Sequence, residues 1–264
     1  MTPQLNDKLR DRVEHEKSAH TEDDILKKNI ELKGLFPHLS VSPTMQRLEK
    51  DFHLYLENVK GLRILDLGCG YGEQSLDLLQ RGASVSGIDI SQKYIDHTIK
   101  EAHKFNFSKS SYDFRVMDAH ALDFSDAIFN LVVGRGILHH LDLKVVMGEI
   151  HRVLKTGGKA LFLEPLAANP FLKLFRVLTP HARTKDERPL SPEDIRDIEN
   201  SDWHVQNKYY GLISAPVAIF SSVFLRPFAD NFLLHLADSI ECRVNLIKTL
   251  EPLNQYVLLN LIRK

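Results

Sequence analysis

The chain has few cysteines, almost no net charge and no long apolar run. Its 264 residues include two cysteines, Cys69 and Cys242, which are too few for a disulfide framework, so we expect a reducing compartment, the cytoplasm. The formal net charge is −1, without the basic surplus typical of nucleic-acid binding. The most apolar run, residues 212–225, contains Pro216 and is shorter than the ~20 residues of a membrane span. The charged first twenty residues do not resemble a signal peptide.

Apolar patterning divides the chain into four predicted segments. Residues 1–60 are predicted to form an N-terminal helical lid, and residues 61–211 a core in which strands alternate with helices. Residues 212–250 are predicted to be a helical cap insertion, and residues 251–264 to return to the core as its last strand. Alternation of this kind indicates a parallel sheet covered by helices on both faces. The predicted elements are strands at Leu62–Leu67, Ser84–Asp89, Tyr112–Met117, Phe129–Val133, Lys159–Leu163, Trp203–Gly211 and Gln255–Ile262, and a helix from Asp142 to a stop at Gly157-Gly158.

The most informative segment is a glycine-rich turn that directly follows the first predicted strand. Asp66 lies near the end of that strand, and Gly68, Gly70 and Gly72 follow it. Glycines at such a turn let the backbone approach a ligand closely and adopt positive φ. The next strand ends in Asp89, 17 residues after Gly72, and a carboxylate at that spacing can bind both hydroxyls of a ribose.

The acidic residues of this turn favour S-adenosylmethionine over a dinucleotide. A dinucleotide site usually has G-x-G-x-x-G, whereas here the glycines alternate and Glu73 occupies the next position. A pyrophosphate would be repelled by Asp66 and Glu73. S-adenosylmethionine carries no phosphate, and its ammonium group suits a carboxylate neighbour. No metal ion is expected.

Five motifs, in order along the chain, resemble those of the class I S-adenosylmethionine-dependent methyltransferases, particularly the small-molecule branch with the ubiquinone and menaquinone C-methylases. The resemblance implies a Rossmann-like α/β fold with a seven-stranded, mainly parallel sheet whose last strand is antiparallel, with N-terminal helices and a helical insertion near the C-terminus. The motifs are ILDLGCGYGEQ from Ile64, GIDIS at Gly87–Ser91, VMDA at Val116–Ala119, the fourth-strand motif at Phe129–Leu141 and RVLKTGGK at Arg152–Lys159.

The same resemblance assigns expected roles to individual residues. Asp66, Gly68 and Gly70 would hold the methionine end of S-adenosylmethionine, and Asp89 would hold the ribose. Asp118 and Ala119 would bind the adenine edge, and Gly134 would approach the amino-acid end. The remaining members of the predicted cofactor-binding set are Cys69, Gly72, Ile90 and Arg135.

Three side chains are candidates for catalysis, because they follow strands at the expected ligand end of the sheet. His139 and His140 follow the fourth strand, and Glu164 ends the fifth. Methyl transfer depends mainly on alignment of the reacting groups, and a base is needed only where the nucleophile must lose a proton. Each of the three can therefore be a base or a structural residue.

The last hundred residues are expected to select a small hydrophobic or amphipathic substrate. Arginines in the loop after the fifth strand can clamp a carboxylate or phosphate, or be ordinary solvated charges. Phenylalanines in the apolar stretch 212–250 can pack in the core, form a substrate lid, or make a homodimer or membrane-surface contact. The arginines are Arg176, Arg183 and Arg188, and the phenylalanines are Phe220, Phe224, Phe228 and Phe232.

Three other functions remain alternatives on the sequence. A nucleic-acid or protein methyltransferase shares the expected fold, but the amino-methylating enzymes of nucleic acids usually carry N/D-P-P-Y/F where this chain has Gly134-Arg135-Gly136. A protein that binds S-adenosylmethionine without transferring its methyl group is the second alternative. An NAD-dependent oxidoreductase is the third, and the alternating glycines disfavour it.

Overall fold

The computed structural model describes residues 34–171, 173 and 188–264. A single eight-stranded sheet lies at its centre, with the strand order β3-β2-β1-β4-β5-β8-β6 and with β7 also paired to β8. The strands are β1 Arg63–Leu67, β2 Ser84–Asp89, β3 Tyr112–Val116, β4 Phe129–Arg135, β5 Leu154–Pro165, β6 Trp203–Val205, β7 Lys208–Tyr210 and β8 Tyr256–Arg263.

Helices connect the strands and form a separate layer near the C-terminus. They are α1 His38–Val41, α2 Pro43–Leu54, α3 Glu73–Gln80, α4 Gln92–Lys104, α5 Leu143–Val153, α6 Pro192–Glu199, α7 Ser214–Phe224 and α8 Phe232–Val244, with 3-10 turns at Leu138–His140 and Lys248–Leu253. Local sequence accounts for several helix starts. Ser42, Asp142 and Ser191 each accept a backbone N–H in the first turn, and proline opens α2 and α6.

The strand directions agree with the predicted Rossmann-like arrangement. Strands β1 to β5 pair in parallel, and β8 runs antiparallel between β5 and β6. A mainly parallel sheet with an antiparallel last strand is therefore confirmed. The sheet has eight strands instead of seven, because the predicted strand Trp203–Gly211 is interrupted at residues 206–207 and both halves pair with β8.

Two predicted elements end earlier than the sequence pattern indicates. The helix that starts after Asp142 ends at Val153, well before Gly157, because Leu154 is extended and pairs with Phe129 of β4. The predicted helical stretch 212–250 is interrupted between α7 and α8. Pro227 lies in that gap, and proline lacks the N–H that would continue a helix.

Alternate residues of the central strands feed two apolar clusters on opposite faces of the sheet. In β1, Leu65 and Leu67 belong to one cluster with α5 and α6, and Ile64 belongs to the other with α2, α3 and α4. Successive side chains of a strand point to opposite faces, so burial on both sides holds the strand in register. The carboxyl ends of the parallel strands therefore occupy one fixed edge, where the predicted site residues lie.

Polar side chains attach the helical layer, α7 and α8, to the rest of the protein. The buried Glu241 of α8 accepts hydrogen bonds from the backbone N–H groups of Gly211, Ile213 and Ser214 and from the Ser214 hydroxyl, at 2.8–3.1 Å. Arg47 of α2 pairs with Asp238 of α8 at 2.8 Å. The helices α2 and α8 are thereby joined to the end of β7.

The four phenylalanines of the predicted cap do not pack in the core. Their exposed fractions range from 52 to 74%, and the Phe220 and Phe224 rings contact each other with centroids 4.6 Å apart. Core packing is therefore wrong for these side chains. The phenylalanines are Phe220, Phe224, Phe228 and Phe232.

Among the residues described, no helix is both long enough and apolar enough to span a membrane.

Candidate active site

The glycine-rich turn after β1 requires its glycines for two different reasons. Gly68, Gly70 and Gly72 all have positive φ, at 73°, 51° and 84°. A Cβ on Gly68 would lie 2.7 Å from Ile137 Cδ1, and one on Gly72 would lie 2.4 Å from Thr98 Cγ2. A Cβ on Gly70 would meet nothing within 4 Å. The outer two glycines are therefore needed for packing, and the middle one faces open space.

Asp66 lies beneath this turn as a buried carboxyl. It is 3% exposed, and the Ser75 hydroxyl of α3 donates to its Oδ2 at 2.5 Å. Burial raises the pKa of Asp66 to about 6, and the nearby charge of Asp89 acts in the same direction. The Ser75 hydrogen bond partly opposes both effects. A cation placed beside Asp66 would therefore favour the ionised form of its carboxyl group.

Asp89 lies at the end of β2, across from the glycine turn. Its Oδ2 accepts the Gly70 N–H and its Oδ1 accepts the Ser91 N–H, both at 2.9 Å. An ionised carboxylate has about four lone-pair positions, so Asp89 can hold several donors at once. Ile90 is half-buried beside it. Cys69 is buried, and burial raises the pKa of its thiol well above the usual range, so it stays a neutral thiol.

Asp118 and Ala119 follow β3 and adjoin a buried histidine that the sequence analysis did not single out. Asp118 Oδ1 accepts the backbone N–H of His120 at 2.9 Å and is 2.6 Å from its Nδ1. Burial acts to raise the pKa of Asp118, but the hydrogen bonds from His120 outweigh it and hold the pKa below its ordinary value. Asp118 is therefore an ionised acceptor at this edge of the sheet.

Two of the three candidate catalytic residues, Glu164 and His139, are hydrogen-bonded to each other at the ends of β4 and β5, and the ring of the third, His140, packs against His139. Glu164 is fully buried, and its carboxylate accepts the backbone N–H groups of Ile137 and Leu138 at 2.9 Å and of His139 at 3.4 Å. The Nδ1 of His139 is 2.7 Å from Glu164 Oε2. The ring centroid of the half-buried His140 lies 4.1 Å from that of His139. We call residues 137–140 the histidine turn.

Gly134 and Arg135 have packing partners at the end of β4. A Cβ on Gly134 would lie 2.7 Å from Phe162 and 2.8 Å from Ile137, so the glycine lets these side chains pack. The Arg135 guanidinium pairs with Glu49 of α2 and lies 4.8 Å from the Phe52 ring centroid. These contacts direct Arg135 towards α2, and its role in cofactor binding stays a prediction.

A cavity of about 220 Å³ lies beside the histidine turn. The Arg188 guanidinium at its rim contacts both carboxylate oxygens of Asp194 at 2.8 Å, and its backbone N–H donates to the His139 carbonyl. Arg188 is thus engaged within the protein, and Arg176 and Arg183 lie outside the described residues. The lining residues are Leu138, Leu141, Asp142, Leu143, Lys144, Arg188, Leu190 and Asp194.

Comparisons with known proteins agree with this geometry. A family described as a methyltransferase domain matches residues 65–162. The demethylmenaquinone methyltransferase of Lactococcus lactis is 32% identical over 123 residues, which cover 45% of this chain and 47% of the relative. An S-adenosyl-L-methionine-dependent Diels-Alderase of Talaromyces variabilis is 26% identical over 136 residues, 50% of this chain and 46% of the relative. The chain thus spans about half the length of the curated relatives it matches.

The solved structures extend the likeness to most of the chain. A geranyl diphosphate C-methyltransferase from Streptomyces coelicolor, solved with Mg²⁺, geranyl diphosphate and S-adenosyl-L-homocysteine, has a TM-score of 0.59 at 14% identity. The match covers 83% of this chain and 81% of that chain. At this identity the likeness shows the fold, which is Rossmann-like and of the methyltransferase type. The resemblance inferred from the motifs is confirmed.

Proposed function

We propose that the chain transfers a methyl group from S-adenosylmethionine to a small, hydrophobic or amphipathic metabolite. The observation that carries this proposal is the open face of Gly70 between two carboxylates, Asp66 beneath the turn and Asp89 across from it. The methyltransferase domain matched at residues 65–162 supports the same activity. The free thiols Cys69 and Cys242 support a cytoplasmic location.

The residues present fit S-adenosylmethionine group by group. Asp66 would hold the ammonium of the methionine end, because a neighbouring cation favours ionisation of a carboxyl whose pKa burial has raised. Asp89 would accept the ribose hydroxyls while its two backbone contacts keep it in place. Asp118 would accept the adenine amino group. When bound, S-adenosylmethionine supplies an electrophilic methyl group on a sulfonium that is already a good leaving group.

The histidine turn would supply the base for a methyl acceptor that must lose a proton. Four donors converge on Glu164, an arrangement that suits an ionised carboxylate, so the Nδ1 of His139 carries a proton and donates a hydrogen bond to Glu164. In the neutral ring, the Nε2 of His139 is then the nitrogen that accepts a proton. We assign His139 as the base and Glu164 as its positioning residue, while His140 stays a second candidate.

Phenols of graded acidity test this assignment, because a base matters less when the acceptor ionises readily. His139→Gln should lower turnover about 10²-fold with a weakly acidic phenol, and the loss should shrink as the phenol becomes more acidic. Glu164→Gln should cause a smaller loss, since one amide oxygen still accepts. His140→Gln is the matched control, and an acidity-dependent loss in that variant would transfer the role to His140. If neither variant slows any phenol threefold, catalysis rests on alignment alone.

The methyl transfer itself is tested by product formation. We would incubate the protein with methyl-labelled S-adenosylmethionine and a panel of hydroquinones, phenols and isoprenoid diphosphates. Label in an acceptor, with one S-adenosylhomocysteine released per product, is the expected result. Asp89→Ala should weaken cofactor binding by about 1.5–3 kcal/mol, the scale of lost charged hydrogen bonds.

A second candidate function is a reaction other than methyl transfer in a protein that binds S-adenosylmethionine. The observation that favours it is the likeness to the Talaromyces Diels-Alderase over half of this chain. Calorimetric binding of S-adenosylmethionine without S-adenosylhomocysteine release from any acceptor would support this candidate. Absence of binding would contradict both functions.

A further inference from the structure

His120 occupies a buried position between the adenine end of the candidate site and the start of α5. Its side chain is 1% exposed. Its Nδ1 lies 2.6 Å from Asp118 Oδ1, and its Nε2 accepts the backbone N–H of Asp142 at 2.9 Å. His120 thus contacts Asp118, which is two residues away in the sequence, and Asp142, which is 22 residues away.

The contact to Asp142 fixes the proton on the imidazole ring. A backbone N–H can only donate, so the Nε2 of His120 must be the unprotonated nitrogen. The ring proton of the neutral histidine is therefore on Nδ1, and the Nδ1–H donates a hydrogen bond to Asp118. Both the Nδ1–H and the backbone N–H of His120 are directed to Oδ1 of Asp118. The orientation of that carboxylate, and the direction of its Oδ2, are thereby set.

Asp142, the second partner of His120, lies where the histidine turn leads into α5. Asp142 is the N-cap of α5, and its side chain accepts the Val145 N–H at 3.2 Å. Leu141 separates it from the histidine turn, and Leu138, Leu141 and Asp142 all line the cavity beside that turn. His120 therefore contacts both Asp118 and a residue that lines the cavity.

We propose that His120 is a positioning residue that couples the adenine-binding carboxylate Asp118 to the histidine turn and its cavity. This inference rests on the proposed function, because it assigns adenine to Asp118 and the base for the methyl acceptor to the histidine turn. One ring holds both groups through a single tautomer. Loss of the hydrogen bond to Asp118 should consequently change cofactor affinity, and loss of the hydrogen bond from Asp142 should change methyl transfer.

Two conservative substitutions remove the hydrogen bonds one at a time. The amide of asparagine reaches the position of Nδ1, so His120→Asn keeps a donor to Asp118 and loses the acceptor for Asp142. Glutamine reaches the position of Nε2, so His120→Gln keeps the acceptor for Asp142 and loses the donor to Asp118. His151→Gln is the control for loss of a histidine, since His151 lies at the far end of α5 against Trp203.

The expected results differ between the two variants. His120→Gln should raise the Kd for S-adenosylhomocysteine about tenfold, the effect of losing one charge-assisted hydrogen bond, with kcat nearly unchanged at saturating cofactor. His120→Asn should leave that Kd within about threefold and lower kcat or raise the KM of the methyl acceptor about tenfold. Equal effects of both variants on both quantities would overturn the proposal, as would wild-type behaviour of both.

A spectroscopic measurement tests the geometry independently of methyl transfer. In protein with ¹⁵N-labelled histidine, long-range ¹H–¹⁵N spectra should contain an Nδ1-protonated ring that disappears in His120→Asn and in His120→Gln but not in His151→Gln. An Nε2-protonated or doubly protonated His120 at neutral pH would overturn the proposal. If the wild type shows the expected tautomer but does not bind S-adenosylhomocysteine, the proposed function has failed, and the coupling to adenine fails with it.

Discussion

Asp66 should make the ligand-free protein less stable as the pH rises, which is the reverse of the usual behaviour of a carboxylate. Its pKa of about 6 in the folded protein lies above the ordinary 3.8, so the folded state holds the proton more tightly than the unfolded chain does. Above about pH 7 the group is ionised in both states, and the full cost of burying the charge is present. Below the folded pKa the proton returns and the cost diminishes.

The magnitude follows from these two pKa values. Between pH 8 and pH 5, proton linkage at this one group should stabilise the folded state by about 1 kcal/mol. Other groups titrate as well, so the measurement compares wild type with Asp66→Asn, which cannot titrate at this position. The stability difference between the two proteins should change by about 1 kcal/mol across the interval, with the asparagine variant relatively more stable at pH 8.

Urea unfolding of ligand-free protein at pH 5, 6, 7 and 8 measures this difference. Ser75→Ala is the matched control. The Ser75 hydroxyl favours the ionised form of Asp66, so its removal should move the transition to higher pH. Parallel stability curves for wild type and Asp66→Asn would refute the reasoning, because they would mean that Asp66 has the same pKa in the folded and unfolded states.

Cofactor binding should show the opposite dependence on pH. The ammonium of S-adenosylmethionine favours ionised Asp66, so binding at pH 5 must first remove a proton and should be about tenfold weaker than at pH 7. Asp66→Asn should bind more weakly at pH 7 and show little of this dependence. A wild-type affinity that does not change between pH 5 and 7 would separate Asp66 from the ammonium site.

Two further predictions concern the turn and the helical layer. Gly72→Ala should destabilise the protein by about 2–4 kcal/mol because its Cβ would overlap Thr98, whereas Gly70→Ala should cost only about 1 kcal/mol yet weaken cofactor binding at least about tenfold. Equal losses of stability in thermal unfolding would contradict this distinction. Glu241→Ala should cost about 3 kcal/mol and increase hydrogen exchange in α7 and α8, with Glu241→Gln retaining part of the stability. Unchanged exchange in both helices would contradict the anchoring role of Glu241.

The sequence was sufficient to predict the fold, and it led to a proposal for the site, because both depend on local signals. Apolar strands followed by glycines, and a carboxylate at the end of the next strand, identify β1, β2 and the turn between them. The interruption of Trp203–Gly211 into β6 and β7 was not predictable in this way. Both halves are held by β8, which lies about fifty residues away in the sequence, and no local pattern encodes that pairing.

The residues that the sequence analysis missed are those whose contacts span long separations. Ser75 is an ordinary helix residue until its hydroxyl meets Asp66, and Ile137 is one more apolar residue until it fills the space beside Gly68. The positions of Glu164 and His139 after strands marked both as candidate site residues, but did not show that His139 donates to Glu164. Glu164, a candidate base in the sequence analysis, is buried under the histidine turn and accepts hydrogen bonds from it.

The roles of the buried acids Glu164, Glu241 and Asp66 follow from the hydrogen bonds that each carboxyl group accepts. Glu164 and Glu241 are both fully buried, and each accepts four hydrogen bonds from its own protein, so each fixes a junction of the chain. Asp66 is almost as deeply buried, yet only the Ser75 hydroxyl opposes the burial that raises its pKa. A buried carboxylate held by so little internal hydrogen bonding costs stability, and a bound cation would relieve that cost. Of these three acids, Asp66 is therefore the one for which we propose that a ligand, and not the fold, completes the environment.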